Sequence, residues 1–80
     1  MSKYDWEKIL AKFPDIRYVA KDRDGYLWGY YERPECDTQL NGWKVPRVGS
    51  KRAEQMGYLG DIVKDWYASL EECPYLQLKE

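Results

Sequence analysis

The chain has 80 residues, with 13 basic and 14 acidic side chains, no histidine and a formal net charge of −1. This length predicts a single domain over residues 1–80 that buries roughly 60–65% of its unfolded surface. The balanced charge argues against a general nucleic-acid binder, which needs a basic excess to neutralise phosphates, and against an acidic mimic of DNA.

Residues 2–13 are predicted to form an amphipathic helix, because their apolar side chains recur at i, i+3, i+4 and i+7. The apolar residues of this face are Trp6, Ile9, Leu10 and Phe13. The first residues match a helix-capping pattern, with Asp5 in the place of the usual Glu. Pro14 ends the helix, since proline disfavours helical backbone at the residue before it.

Residues 16–21 and 26–31 are rich in β-forming side chains and flank the turn pair Asp24-Gly25. An Asp-Gly pair between two such runs is a strong signal for a β-hairpin, and Gly25 supplies the positive φ that the turn requires. A two-stranded ribbon alone is marginally stable. We therefore expect the first helix to cover one face of this hairpin.

The middle of the chain carries weaker signals. Residues 32–38 are predicted to be a polar loop, and residues 42–45 to be a third antiparallel strand that follows an Asn-Gly turn and ends at Pro46. Residues 47–60 leave two alternatives open. One is a short helix over residues 50–56, and the other is a loop with a single helical turn.

Residues 61–72 are predicted to form a final helix with Asp61 as its N-cap and Pro74 after its end. The predicted fold class is α+β in the order α-β-β-β-α, a three-stranded antiparallel meander packed against helices. The predicted core comprises Trp6, Ile9, Leu10, Phe13, Val19, Leu27, Trp28, Trp43, Val45, Ile62, Trp66 and Leu70.

The residue types that most catalytic and metal sites need are missing or isolated. Without histidine the chain lacks the usual general base near neutral pH and the commonest zinc ligand, and Cys36 and Cys73 alone cannot complete a zinc site. Residues 22–25 resemble part of a calcium loop, but Tyr31 stands where the ligating Glu would be, which favours a hairpin turn. We therefore expect no enzymatic activity, no cofactor and no metal.

The chain also lacks an apolar run long enough to cross a membrane, and its N-terminus lacks the apolar core of a signal peptide. These features predict a cytoplasmic protein that makes no contact with a membrane. In that reducing compartment the two cysteines are expected to be free thiols.

The aromatic residues are the best candidates for a binding surface, because Tyr and Trp are enriched at interface hot spots. The predicted partner-binding residues are Tyr26, Tyr30, Tyr31, Arg33 and Arg47. An alternative is a weak single-stranded nucleic-acid site that combines stacked aromatic rings with a basic cluster. That cluster, which is otherwise ordinary solvated surface, comprises Lys44, Arg47, Lys51 and Arg52.

Three segments resemble small accessory proteins of tailed bacteriophages and prophages. They are residues 18–28 (YVAKDRDGYLW), 41–43 (NGW) and 65–74 (DWYASLEECP), where Cys73 replaces the arginine typical of that ending. The resemblance implies a phage or prophage product in the cytoplasm of a bacterial host, and it implies no chemistry.

Small phage proteins of this kind often bind and block host complexes, including CRISPR effectors. The expected function is therefore a non-enzymatic protein-binding module that modulates or inhibits a bacterial host or anti-phage defence complex. Weak binding of single-stranded nucleic acid and a role as a virion scaffold are the alternatives, and the sequence leaves the oligomeric state open.

Overall fold

The computed structural model describes residues 4–46 and 53–74. Within these residues the chain forms one α-helix and six strands, so the fold class is α+β, as predicted. The elements are α1 (Trp6–Lys12), β1 (Tyr18–Lys21), β2 (Tyr26–Tyr30), β3 (Glu35–Asp37), β4 (Gly42–Lys44), β5 (Glu54–Tyr58) and β6 (Glu71–Glu72), with one turn of 3-10 helix (Trp66–Ala68) before β6.

The strands form two antiparallel sheets. Four of them lie in the order β5-β2-β1-β6, and β3 and β4 form a separate two-stranded hairpin. The β1–β2 hairpin is confirmed, with Val19 opposite Gly29 and with Gly25 in the turn at a φ of 94°. The two outer strands come from the second half of the chain, so the predicted local hairpin forms the centre of the sheet.

Helix α1 covers one face of the four-stranded sheet, as expected. It begins one residue after Asp5, whose side chain accepts a hydrogen bond from the Lys8 backbone N–H at 3.2 Å and caps the helix. Trp6 is buried in this core, and a Cβ at Gly29 would lie only 2.4 Å from Met56 Cε. Glycine therefore lets the edge strand's methionine pack close to the sheet.

The opposite face is covered by the β3–β4 hairpin and the 3-10 turn. Trp43 and Trp66 meet edge to face with ring centroids 6.1 Å apart. The Trp43 backbone N–H donates to Asp22 Oδ1 at 3.0 Å, and the Tyr30 hydroxyl donates to the Trp43 carbonyl oxygen at 3.4 Å. These contacts attach the small hairpin to the end and the face of the central strands.

The predicted order α-β-β-β-α differs from the observed one, first of all in the middle of the chain. Strand β4 does not extend the meander but pairs with β3, within residues that were predicted to be a polar loop. The short connection between these strands makes their pairing entropically cheap, and Lys44 Nζ lies 3.7 Å from Asp37 Oδ2 across the hairpin.

Residues 54–58 form an edge strand, so neither the predicted short helix nor the predicted loop with a helical turn is correct there. The rest of that prediction falls on residues 47–52, which lie outside the described part of the chain. The pairing with β2 contains a register shift between Leu27 and Trp28. A bulge of this kind breaks the two-residue alternation by which a strand is recognised in a sequence.

The predicted helix over residues 61–72 is wrong: this segment contains the 3-10 turn and strand β6. Ser69 is buried, and its hydroxyl donates to the Trp66 carbonyl oxygen at 2.5 Å and accepts from the Lys21 backbone N–H at 2.8 Å. Such side-chain hydrogen bonds to the backbone compete with helix formation. The pairing of β6 with β1 further stabilises the non-helical conformation of this segment.

The predicted core is confirmed at its centre and wrong at one edge. Trp6, Val19 and Trp66 are buried, and Ile9, Leu10, Phe13 and Leu27 are partly buried against the core. Trp28, Trp43, Val45 and Leu70 are half-buried. Ile62 is exposed, because its segment is an irregular connection rather than a helix with an apolar face. The buried hydrophobic core residues that the pattern missed are Ile16, Ala20, Tyr30 and Cys73.

Candidate functional site

The predicted partner-binding tyrosines do not form one surface. Tyr30 is only 3% exposed, so its predicted role as an exposed contact is wrong; the β3–β4 hairpin covers its face of the sheet, and burial raises its pKa. Tyr31 packs with the core beneath α1, and its hydroxyl donates to Glu54 Oε2 at 2.8 Å, the bond that chiefly raises its pKa. Tyr26 is half-buried on the opposite face.

The predicted basic residues are only partly described. Arg33 is exposed, with its guanidinium carbon 6.0 Å from the centre of the Tyr18 ring. Lys44 is exposed and forms the ion pair with Asp37. The remaining predicted cations, Arg47, Lys51 and Arg52, lie outside the described residues.

Large apolar side chains gather instead around the turn of the β1–β2 hairpin. Four of them are mostly exposed: Leu40 (70%), Tyr58 (59%), Leu59 (51%) and Ile62 (57%). We call these four side chains, together with Tyr26, the turn-end surface. A run of apolar side chains this exposed is unusual on a small protein surface without a binding role.

Backbone hydrogen bonds hold two loops against this turn: the β3–β4 loop, and the connection between β5 and the 3-10 turn. The Arg23 N–H donates to the Asn41 carbonyl oxygen at 3.0 Å, and the Val63 N–H donates to the Arg23 carbonyl oxygen at 2.9 Å. The Leu59 N–H donates to the Gly25 carbonyl oxygen at 2.7 Å. The exposed apolar residues therefore lie on anchored backbone, which lowers the entropy that they would lose on binding.

The turn itself is tightly packed. The rings of Tyr26 and Tyr58 lie 4.6 Å apart between centroids, tilted by 31°. A Cβ at Gly25 would lie 2.4 Å from the carbonyl oxygen of Asp61 and 3.2 Å from the Tyr58 ring. The positive φ at Gly25 and this close approach both require glycine.

An open pocket of about 300 Å³ lies at the turn-end surface, lined by Asp22, Arg23, Asp24, Leu40, Asn41 and Ile62. Burial raises the pKa of Asp22, an effect opposed by the hydrogen bond from Trp43. Asp24 Oδ1 accepts the Tyr26 backbone N–H at 3.1 Å. With two carboxylates, one guanidinium and an apolar rim, the pocket suits a side chain that has an apolar stem and a basic or polar end.

Sequence reasoning selected Tyr26 but missed the other four members of this surface. A usable signal was present, because Leu40 and Leu59 are large apolar residues beside the turn-forming residues Asn41 and Gly60. An apolar residue in a polar turn segment is a candidate contact residue.

No group of three or more His, Cys, Asp or Glu side chains that could hold a metal ion occurs among residues 4–46 and 53–74. In the same part of the chain, no helix has the length and apolar character needed to cross a bilayer. Cys36 is exposed, and Cys73 is buried in the core beneath α1.

Comparisons with protein-family models, with curated proteins and with solved structures find no match to this chain. The resemblance to phage accessory proteins therefore stays a prediction, and the geometry of the turn-end surface carries the functional argument.

Proposed function

We propose that the protein is a non-enzymatic binding module that contacts a protein partner through the turn-end surface. The observation that supports this proposal is the gathering of Leu40, Tyr58, Leu59 and Ile62, each at least 51% exposed, around one hairpin turn. Apolar surface of this kind is stabilised when a partner removes it from water, and aromatic side chains are frequent hot spots.

The charge around the turn favours a protein over a nucleic acid. Asp22, Asp24 and Asp61 surround the turn, and Arg23 is the basic residue among the pocket's lining. An excess of carboxylates repels phosphate groups, whereas it tolerates or attracts the polar and basic side chains of a protein. Lys44, a member of the predicted nucleic-acid site, does not support the nucleic-acid alternative, because its ammonium group pairs with Asp37.

The resemblance to phage accessory proteins suggests the biological setting of this proposal. The partner would be a bacterial host protein or an anti-phage defence complex in the bacterial cytoplasm, and the module would modulate or inhibit it by covering part of its surface. This mode of action needs shape and apolar contact but no bond-making chemistry, which suits a chain without histidine.

The experiment compares capture of a partner by matched variants. Tagged protein is incubated with lysate of the bacterium that carries the gene, and the captured protein is identified, purified and titrated against each variant by calorimetry. We expect Leu40→Ser and Ile62→Ser each to weaken binding by about tenfold or more. Tyr67→Ser, which alters an equally exposed side chain outside the turn-end surface, should leave the affinity unchanged.

Both turn-end variants should keep the thermal midpoint of the wild type, because their side chains are exposed. A partner that binds all three variants with the affinity of the wild type would refute this surface. A failure to capture any stoichiometric protein would refute the proposed function itself.

A further inference from the structure

A second, smaller groove lies between helix α1 and strand β5, and none of its lining residues belongs to the turn-end surface. Its volume is about 190 Å³, and its lining residues are Lys8, Ile9, Lys12, Phe13 and Met56. The apolar part consists of Ile9, Phe13 and Met56, which are all half-buried against the core. Two ammonium groups flank this apolar part, and no acidic side chain belongs to the lining.

The two lysines lie one helical turn apart, at i and i+4 on α1. Like charges at this spacing repel each other, and Lys8 also lies in the first turn, where the helix dipole favours a negative charge. Among the described residues an ion pair joins Lys44 to Asp37. Neither Lys8 nor Lys12 forms an ion pair with a carboxylate of that part of the chain. The Lys12 ammonium lies 5.7 Å from the centre of the Phe13 ring. The groove is therefore apolar, with uncompensated positive charge along one side.

The size of the groove indicates what kind of ligand it takes. Pockets for small-molecule ligands usually measure about 300–1,000 Å³, so about 190 Å³ is too small for such a ligand but large enough for an apolar side chain of a partner. An amphipathic helix that binds a groove places apolar anchors in it at i, i+3 and i+4 spacing. Acidic residues at i and i+4 on that helix would face Lys8 and Lys12 with matching separation.

We propose that the α1–β5 groove docks an acidic amphipathic helix of a protein partner, with one apolar side chain over Ile9 and Met56 and two carboxylates against Lys8 and Lys12. The groove is a second binding surface, and its occupation does not depend on the turn-end surface. The favourable term is the removal of Ile9, Phe13 and Met56 from water, and the charges orient the helix.

The test is a titration of isotope-labelled protein, followed by amide chemical shifts, with a synthetic helical peptide of Leu, Ala and Glu whose Glu residues are one turn apart. A peptide with Lys in place of every Glu is the control. We expect the Glu peptide to shift the amide signals of Lys8, Ile9, Lys12 and Met56, and the Lys peptide to shift none of them.

The Lys12→Glu and Lys8→Glu variants should each bind the Glu peptide about tenfold more weakly than the wild type. Lys64→Glu makes the same change in net charge at an exposed residue outside the groove and should bind within twofold of the wild type. Thermal unfolding of each variant establishes that the fold is kept, which is expected because all three lysines are exposed.

Three results would overturn the proposal. The first is the absence of binding by the Glu peptide, and the second is an equal loss of affinity in Lys64→Glu, which would indicate a general charge effect. The third is binding to vesicles of an anionic phospholipid, with the same residues shifted, in the absence of any response to the Glu peptide. That result would assign the groove to a lipid surface instead.

Discussion

The indole Nε1–H of Trp6 donates a hydrogen bond to Glu71 Oε1 over 2.6 Å, which joins helix α1 to strand β6 across 65 positions of the sequence. Close by, the Tyr4 hydroxyl donates to the Ser69 carbonyl oxygen at 2.5 Å. The first and last described elements are therefore held together by side-chain hydrogen bonds as well as by apolar packing.

Replacement of Trp6 by phenylalanine should lower the free energy of unfolding by about 2–3 kcal/mol, because it removes a bond to a charged acceptor and some buried volume. Glu71→Gln keeps an oxygen acceptor for the indole and should lose less than about 1 kcal/mol. Glu72→Gln, at the exposed neighbour of Glu71, should change the free energy of unfolding by less than about 0.5 kcal/mol. Urea unfolding measures all three, and equal midpoints for Trp6→Phe and wild type would contradict the role given to this bond.

Gly25 and Gly57 offer a matched pair of glycine substitutions. Gly25→Ala should lower the free energy of unfolding by about 2 kcal/mol or more, because φ is 94° and the added Cβ meets the Asp61 carbonyl oxygen. Gly57→Ala should be neutral or stabilise by about 0.5 kcal/mol, since no atom lies within 4 Å of the added Cβ. Thermal unfolding of both proteins checks the order, and a tolerated Gly25→Ala would show that the turn relaxes easily.

Two tyrosines, the partly buried Tyr4 and the buried Tyr30, make the stability sensitive to alkaline pH. Burial raises the pKa of Tyr4 from 10.0 to about 12 and also raises the pKa of Tyr30. The folded state therefore keeps protons that the unfolded chain releases above pH 10.0. The free energy of unfolding should be independent of these groups below that pH and should fall as the pH rises towards about 12.

The measurement is urea unfolding at several pH values above neutral. Tyr30→Phe should reduce the slope of the alkaline loss, because phenylalanine cannot release a proton. Tyr67→Phe, at an exposed ring, is the control and should keep the wild-type slope. An unchanged slope in Tyr30→Phe would show that this hydroxyl does not govern the alkaline transition.

Asp22 accepts the Trp43 backbone N–H, and burial raises the pKa of its carboxyl group. The folded state thus binds a proton at Asp22 more tightly than the unfolded chain does, so ionisation of this carboxyl group removes part of the free energy of unfolding. Asp22→Asn keeps an oxygen acceptor without the charge and should be at least as stable as the wild type at pH 7. Asp22→Ala should lose about 1–3 kcal/mol, because the Trp43 N–H loses its partner.

Chemical unfolding at neutral pH distinguishes the two Asp22 variants. An equal loss of stability in both would indicate that the carboxylate charge, rather than the acceptor oxygen, attaches the β3–β4 hairpin to the sheet.

The elements that could be predicted from the sequence are those with local signals. The periodic apolar residues that begin at Trp6 predict helix α1, and the pair Asp24-Gly25 predicts the central hairpin. Strands β3 and β6 have only three and two residues, which is too short for an alternating pattern to be visible. Strand β4 was predicted from the Asn-Gly turn before it, but its pairing with β3 was not. Their pairing depends on partners elsewhere in the chain, so helical periodicity in residues 61–72 was overridden by tertiary contacts.

The candidate site was hard to predict for a related reason. Leu40 lies in the loop between β3 and β4, whereas Leu59 and Ile62 lie in the connection after β5. Backbone hydrogen bonds of their loops to Arg23 and Gly25 bring these two segments to the same turn. An isolated apolar residue in a loop indicates a contact, but the sequence does not specify which other loops it meets. Tyr26 was identifiable because it belongs to the locally encoded hairpin.

The strand order β5-β2-β1-β6 has a consequence for synthesis of the protein on the ribosome. The central hairpin emerges early, yet its β2 edge stays open until residues 54–58 are made and its β1 edge until residues 71–72 are made. The last pairing, in which the Cys73 N–H donates to the Arg17 carbonyl oxygen at 2.7 Å, requires nearly the whole described chain. A nascent chain therefore keeps the β1 edge of its sheet unpaired until residues 71–73 have left the exit tunnel.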